Sequence, residues 1–264
     1  MPALNLVSAQ GTQVNTSIVS INAVTGDSLA VQNFDISKKA WLLQLWCDVQ
    51  LAGTLRLRSP KFHDNVNGIR IDTIASDAQP LLPWSCPQQL YPNDNLVVEL
   101  AGSSTAGDID QVCMLHYYED LPGISARFID PQTLMQRMEQ LLTVENTIST
   151  GTAGGYSGAE AINAEIDQFQ NGVDYALLGY KTDTEMAAIG WRAPDFGNLR
   201  IGGPGDETNP RAYSDWFVKM SRVYGRSLIP VFNGQNKASV LIDALCDENG
   251  ADPTVTTYLA RLRS

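Results

Sequence analysis

Histidine is almost missing from this chain of 264 residues: His63 and His116 are the only two. One falls in a predicted loop and the other at a predicted strand end, with no partner motif beside either. A metal site of the cupin kind needs clustered imidazoles, so that chemistry is excluded. Cysteine is scarce too. Cys47, Cys86, Cys113 and Cys246 do not fall at metal-ligand spacing, and a chain of this length does not need disulfide staples. Free thiols, folded in a reducing compartment, are the expectation. Charged residues make up 18% of the chain, and acidic ones outnumber basic ones by 29 to 18. The resulting net charge of -11 repels phosphate backbones, and neither end carries a basic arm, so no direct nucleic-acid binding is expected.

Catalytic vocabulary is equally thin. There is no G-x-S-x-G elbow, no P-loop and no dinucleotide fingerprint. The glycine-rich stretch 151–158 reads as a linker, and 202–205 as a tight turn that needs positive φ. Asp183, Glu185, Asp206 and Glu207 supply carboxylate pairs of the kind that cleave glycosides, but among 29 acidic residues such pairs always occur. The run D-E-N-G-A-D at 247–252 misses the EF-hand pattern and reads as a solvated hairpin turn. No cofactor and no metal are expected, and the chain is not expected to be an enzyme. Long apolar runs are lacking as well. The richest, 40–55, is interrupted by Gln44, Asp48 and Gln50, so it cannot cross a bilayer. Residues 1–13 lack the pattern of a secretory leader, and a soluble chain made in the cytoplasm is the expectation.

What is present is strand-and-turn writing. Segments 17–24, 40–51, 95–100 and 111–118 are rich in Val, Ile, Leu and aromatics, and Gly, Asn, Asp, Ser and Pro clusters separate them. Four prolines between 80 and 92 exclude a central strand there. At 130 the style changes. Asp130 and Pro131 fit the start of a helix, and Leu134, Met138, Leu141 and Leu142 follow helical spacing, which predicts a helix to about Asn146. A second short helix is expected over 159–169, and strand writing resumes after Asn171 and Gly172. Trp41, Trp46, Tyr180 and Trp191 lie in apolar strands. Core packing is the first reading for them, and a sugar-binding platform the second.

One phrase is written twice. R-A-P-D-F-G-N-L-R-I at 192–201 repeats R-S-P-K-F-H at 58–63, with Arg58, Pro60 and Phe62 opposite Arg192, Pro194 and Phe196. The likeness extends along the halves. Trp41, Leu43 and Trp46 meet Tyr175, Leu177 and Tyr180. Arg70 and Ile71 meet Arg200 and Ile201, and 81–83 meets 228–230. Val97, Val98 and Glu99 meet Leu241, Ile242 and Asp243, while Leu115 meets Leu259. Shifts in the alignment fall in predicted loops, where insertions are tolerated. The largest, at 206–226, reads as an inserted helix with Trp216, Met220 and Val223 on one face. The expected fold is therefore mainly β: two tandem eight-stranded jelly-roll barrels with a helical linker and one inserted helix. The first barrel is expected over 1–129, the helical and glycine-rich linker over 130–170 and the second barrel over 171–264.

Two such barrels in one chain, carried by the paired Arg58/Arg192, Pro60/Pro194 and Phe62/Phe196, resemble the double jelly-roll major capsid proteins of tailless icosahedral viruses, membrane-containing bacteriophages among them. That resemblance implies a homotrimer whose six barrels look like a hexagon, in a virion shell with a different protein at the five-fold corners. It also implies an internal membrane as a further partner, with residues 1–16 facing the interior. Weaker assignments are an interface role for Trp216, Met220, Leu134 and Leu141, and anchoring of equivalent corner loops by Arg58 and Arg192. A carbohydrate-binding or adhesion β sandwich is the alternative function, and a glycoside hydrolase or lyase the third.

Overall fold

The strand 40–48 is buried on both faces: Leu42, Leu45 and Cys47 enter one apolar cluster, and Leu43 and Trp46 enter another. A strand covered on both sides must lie inside a stack of sheets. A computed structural model shows that stack and describes residues 1–11, 17–61, 66–74, 78, 80–101, 108–149, 152–209, 211–246 and 251–263.

The first half holds β1 (Ala3–Gly11), β2 (Val19–Ser20), β3 (Asn22–Ala23), β4 (Ala40–Asp48), β5 (Thr54–Arg58), β6 (Ile69–Asp72), β7 (Gln88–Leu90), β8 (Val97–Ala101) and β9 (Asp110–Tyr118). They form two sheets, ordered β3-β1-β9-β4-β7 and β2-β8-β5-β6. With β3 set aside as a short edge addition, the sheets read first-eighth-third-sixth and second-seventh-fourth-fifth. That is the strand order of a jelly roll.

The second half repeats it. After β10 (Phe128–Ile129) and α1 (Pro131–Arg137) come β11 (Met138–Thr147), β12 (Gly155–Tyr156), β13 (Glu160–Ala161), β14 (Asp174–Thr182), β15 (Met186–Arg192) and β16 (Arg200–Gly205). Then follow α2 (Trp216–Tyr224), β17 (Ile229–Asn233), β18 (Leu241–Cys246) and β19 (Thr254–Leu262). One sheet runs β10-β17-β14-β19-β11 and the other β12-β18-β15-β16, with β13 also on β18. Without β10, and with β12 and β13 taken as one interrupted strand, the order is the same. The chain is thus mainly β, with two tandem jelly rolls, each slightly richer than eight strands.

The segment 130–170 corrects the expectation of a helical linker. Asp130 does cap a helix, its carboxylate accepting from the Thr133 N–H at 2.8 Å, but α1 ends at Arg137. Beyond it, β11 pairs along its length with β19. Leu141 and Leu142 satisfy helical spacing, yet Thr143, Val144 and Thr147 favour a pleated strand, and the long partner strand decides. The helix expected over 159–169 is absent too: Glu160 and Ala161 pair with Ile242 and Leu241. This segment supplies the first two strands of the second barrel. Nor is 202–205 a tight turn, because it belongs to β16 and none of its glycines has positive φ. Its glycines answer a packing constraint, since a Cβ on Gly203 would lie 2.7 Å from the Trp216 ring.

The internal repeat is real, but its register differs in part from the sequence alignment. Arg58 pairs with Val97 and Arg192 with Leu241, as aligned. In the other sheets the bulge falls after Leu42 in β4 and after Leu177 in β14. Leu42 is therefore equivalent to Leu177, and Leu45 to Tyr180. The pairs Leu43/Leu177, Trp46/Tyr180 and Leu115/Leu259 are each one residue out of step. A slip of one residue exchanges the faces of a strand. Tyr180 points into its barrel, where its hydroxyl donates to the Pro204 carbonyl at 2.7 Å, whereas Trp46 points out of its own. Ile69, not Ile71, matches Ile201, and Leu90 matches Phe232, so 81–83 is not equivalent to 228–230.

The two barrels stack. The outward face of β1, β9 and β4 carries Leu4, Leu6, Trp46, Cys113, Leu115 and Tyr117, which join one continuous cluster with the second barrel. Trp46 donates its indole N–H to the Ala187 carbonyl at 2.6 Å, and Gln111 donates to the Cys246 carbonyl at 3.0 Å. The inserted α2 bridges β16 and β17. The Trp216 indole N–H donates to the Gly202 carbonyl at 3.0 Å, and its ring lies edge-on to Trp46 and Trp84 of the first barrel. Gly225 ends the helix with φ of 61°.

This shared core makes the two barrels one folding unit. Trp46→Ala is expected to cost about 3–5 kcal/mol, the usual loss for a deleted core indole. The wild-type chain should unfold in one calorimetric transition. Two resolved transitions, with Trp46→Ala moving only one, would refute the shared core.

Candidate functional site

An outward-facing arginine on the second strand sheet of each barrel meets a carboxylate on the neighbouring strand. In the first barrel Arg58 donates through Nε and Nη2 to Glu99 at 3.1 and 3.0 Å, and Arg56 joins the same carboxylate. In the second barrel Arg192 meets Asp243 at 3.0 Å. Alternation explains the arrangement: Leu55 and Leu57 point inward from β5, so Arg56 and Arg58 point out.

The two sites differ in what covers them. Glu99 lies on a free face of the stack, and its hydrogen bond from Arg58 holds the carboxyl below the usual carboxylate range. Asp243 lies in the junction between barrels and is fully buried. Burial raises its pKa above the usual value, against the pull of Arg200 and Arg192. Arg200 donates to Asp243 at 3.1 Å and reaches across the junction to Asp27 of the first barrel at 3.0 Å. Its guanidinium also lies 3.3 Å from the centre of the Tyr156 ring, and the Tyr156 hydroxyl sits 2.8 Å from that of Ser8. Desolvation raises the Asp27 pKa in the same way. The result is a polar latch beside the apolar contact, in which Arg200, Asp27 and Asp243 are buried and Arg192 is half-exposed.

The other candidate residues fall as follows. Pro60 and Pro194 are exposed in equivalent loops, Phe196 is buried against Phe232, and Phe62 lies outside the described residues. Trp216 and Met220 are fully buried within the chain, and Leu134 packs on Ala176, Val218 and Ile229 in a small cluster. These three cannot reach a neighbouring subunit, because the helical stripe that marks them closes the chain's own barrels. Leu141, with 55% of its surface exposed, is free to do so. Trp46, Tyr180 and Trp191 are fully buried and form no platform for a sugar. His116 is buried, which pushes its imidazole down to about 4, and His63 lies outside the described residues. All four cysteines are free thiols, three of them buried. Among the described residues no three His, Cys, Asp or Glu side chains group as a metal site. No helix among them is long and apolar enough to cross a membrane. Sequence reading missed Arg200 and Asp27 as a pair, since only the stacking of the barrels brings them together.

No family model matches this chain, and no curated protein does. Among solved structures, the PBSX exported protein XepA is 10% identical, with a TM-score of 0.25, over 99% of this chain and 86% of its own. The major capsid protein P2 from bacteriophage PM2 is 6% identical, with a TM-score of 0.23, over 100% of this chain and 98% of its own. The fold assignment rests on the strand orders rather than on these likenesses.

The two carboxylates should respond to acid with opposite sign. Glu99, lowered in the fold, contributes stability that is present above the ordinary carboxylate pKa and lost as pH falls through its folded value. Asp243, raised in the fold, contributes most below the ordinary value and loses that contribution as pH rises through its folded one. Glu99→Gln should flatten the loss of stability between about pH 5 and 3. Asp243→Asn should destabilise the fold at neutral pH by taking from buried Arg200 one of its two carboxylate partners, and should steepen the same acid loss. Denaturant titrations across this range measure both slopes. Arg58→Ala and Arg192→Ala should each lower the melting temperature, and unchanged melting in both would refute the anchoring role.

Proposed function

We propose that the chain is a structural subunit of a virus shell, a major capsid protein whose homotrimer presents six barrels. The observation that carries this reading is the way the two barrels meet. The outward face of β1, β9 and β4 in the first barrel packs on the outward face of β15, β16 and β18 in the second. Different faces of equivalent barrels are joined, so the contact is head-to-tail. Repeated contacts of this kind close into a ring when the rotation permits. Each chain keeps one unused face of each type. The first barrel has the face of Arg56, Arg58 and Glu99, and the second has the upper outward face of β11 and β19, with Thr143 and Glu145 exposed. Three chains joined through these faces make a ring of six barrels. Such a tile needs a different protein at five-fold corners of a closed shell. Shared polarity of the barrels is supported by Met1 pairing with Asp120 beside the 121–127 connection, whose Arg127 meets Asp195 in the 193–199 loop. This lets every barrel stand the same way up in a shell, within a virion.

Native mass measurement should find three-chain particles, and electron microscopy should find tiles or shells containing them. Leu141→Arg should shift trimers toward monomers without changing the melting temperature. Met220→Ala should instead cost about 2–5 kcal/mol of stability, because its side chain fills the chain's own core. Monomers alone at high concentration, or a Leu141→Arg chain that remains trimeric, would count against the ring.

A further inference from the structure

At the end of the stack that holds both chain ends, a cleft of about 630 Å³ opens beside the last residues of β19. Arg137, Arg261 and Arg263 line it, together with Glu139, Asp174 and Asn233. We propose that this cleft binds a phosphate group. The inference stands on this end of the second barrel alone and does not depend on the shell role.

The backbone fixes the three arginines. Arg263 donates its N–H to the Arg137 carbonyl at 2.8 Å, and the Arg137 Nε donates to the Arg263 carbonyl at 3.0 Å. This closes the ladder of β11 and β19 just beyond their last pairs. Arg261, two residues back along the same strand, therefore projects to the same side as Arg263. Two carboxylates face three guanidinium groups, and one of the two is shared with a fourth arginine. Asp174 takes Arg127 at 2.7 Å as well as Arg137 at 3.4 Å, and Asn233 donates to its other oxygen at 3.2 Å. Glu139 meets Arg261 at 3.2 Å. Among the described residues no carboxylate meets Arg263. The cleft therefore carries an excess of positive charge in a chain whose net charge is -11.

Charge elsewhere on the stack sharpens the contrast. At the opposite end of the second barrel Asp183 and Glu185 lie between β14 and β15, Asp206 and Glu207 follow β16, and Asp252 precedes β19. An anion approaching the molecule is repelled there and admitted at the cleft. Planar guanidinium groups fixed around a concavity match the oxygen geometry of phosphate, which accepts two parallel hydrogen bonds from each. A phosphate carried on a lipid headgroup presents the same oxygens as the free ion, so both sources fit this recognition.

Two arms separate the sources. Calorimetric titration of the full chain with inorganic phosphate tests the free ion, and co-sedimentation with phosphatidylglycerol vesicles, against phosphatidylcholine ones, tests the headgroup. Binding in either arm should weaken by about tenfold or more in Arg263→Glu, the loss expected for a charge-assisted contact. Arg263 is exposed, so its variant should melt like the parent chain. Lys39→Glu makes the same charge change at the same end but outside the cleft, and should leave binding within about twofold, as expected of a remote screened charge. Binding to vesicles alone assigns the site to a headgroup, and binding of free phosphate alone assigns it to a soluble ion or ester. Absence of binding in both arms overturns the proposal, and so does equal weakening by Lys39→Glu and Arg263→Glu.

Discussion

Trp46 gives its only polar hydrogen to the carbonyl of Ala187, inside a surface where Leu4, Leu6, Leu115 and Tyr117 are all withdrawn from water. Exposed, that surface would be a contiguous apolar patch of the kind soluble monomers avoid. Covering it with a second barrel satisfies the hydrophobic term and dictates the remaining geometry. The sheet of β15, β16 and β18 must approach closely, which explains small residues such as Ala187, Ala188, Gly190 and Gly202 along it. Polar groups trapped at the margin must find partners, which explains the contacts of Arg200 with Asp27 and Asp243.

Divergence between the two copies follows from the same contact. The strand positions of Glu99 and Asp243 are equivalent, yet one carboxyl faces a free surface and the other a desolvated junction. Their pKa values move in opposite directions: the hydrogen bond from Arg58 prevails at Glu99, and desolvation prevails at Asp243. Gly68 in the first barrel stands where the second has Arg200, the residue that ties the barrels together. The outward sheet of the second barrel also differs from its counterpart: instead of a broad apolar face it carries Ala176, Val231 and Ala260, covered by Leu134 of α1 and Val218 of α2.

The strand writing, the repeat, the inserted helix and the Arg58/Arg192 equivalence were legible in the sequence because each is a local pattern. Failures came where a local pattern admitted two readings. Leu134, Met138, Leu141 and Leu142 fit a helix, but only the presence of β19 alongside turns 138–147 into a strand. Matching aromatics suggested Trp46 for Tyr180, since a sequence alignment does not record which face a bulged strand presents. Trp216 and Met220 formed a convincing apolar stripe, but amphipathicity does not say whether the covering surface belongs to the same chain. The arginine cleft was invisible for a similar reason: Arg137 and Arg263 are brought side by side only by the pairing of β11 with β19.

The shared polarity of the barrels gives the molecule an electrical axis. Acidic residues follow the far ends of β14 and β16 while the arginines cluster beside the end of β19, so charge is separated along the second barrel. On a positively charged support it should adsorb acid-pole first, leaving its arginine pole toward solution, and a layer of such molecules would be aligned rather than random.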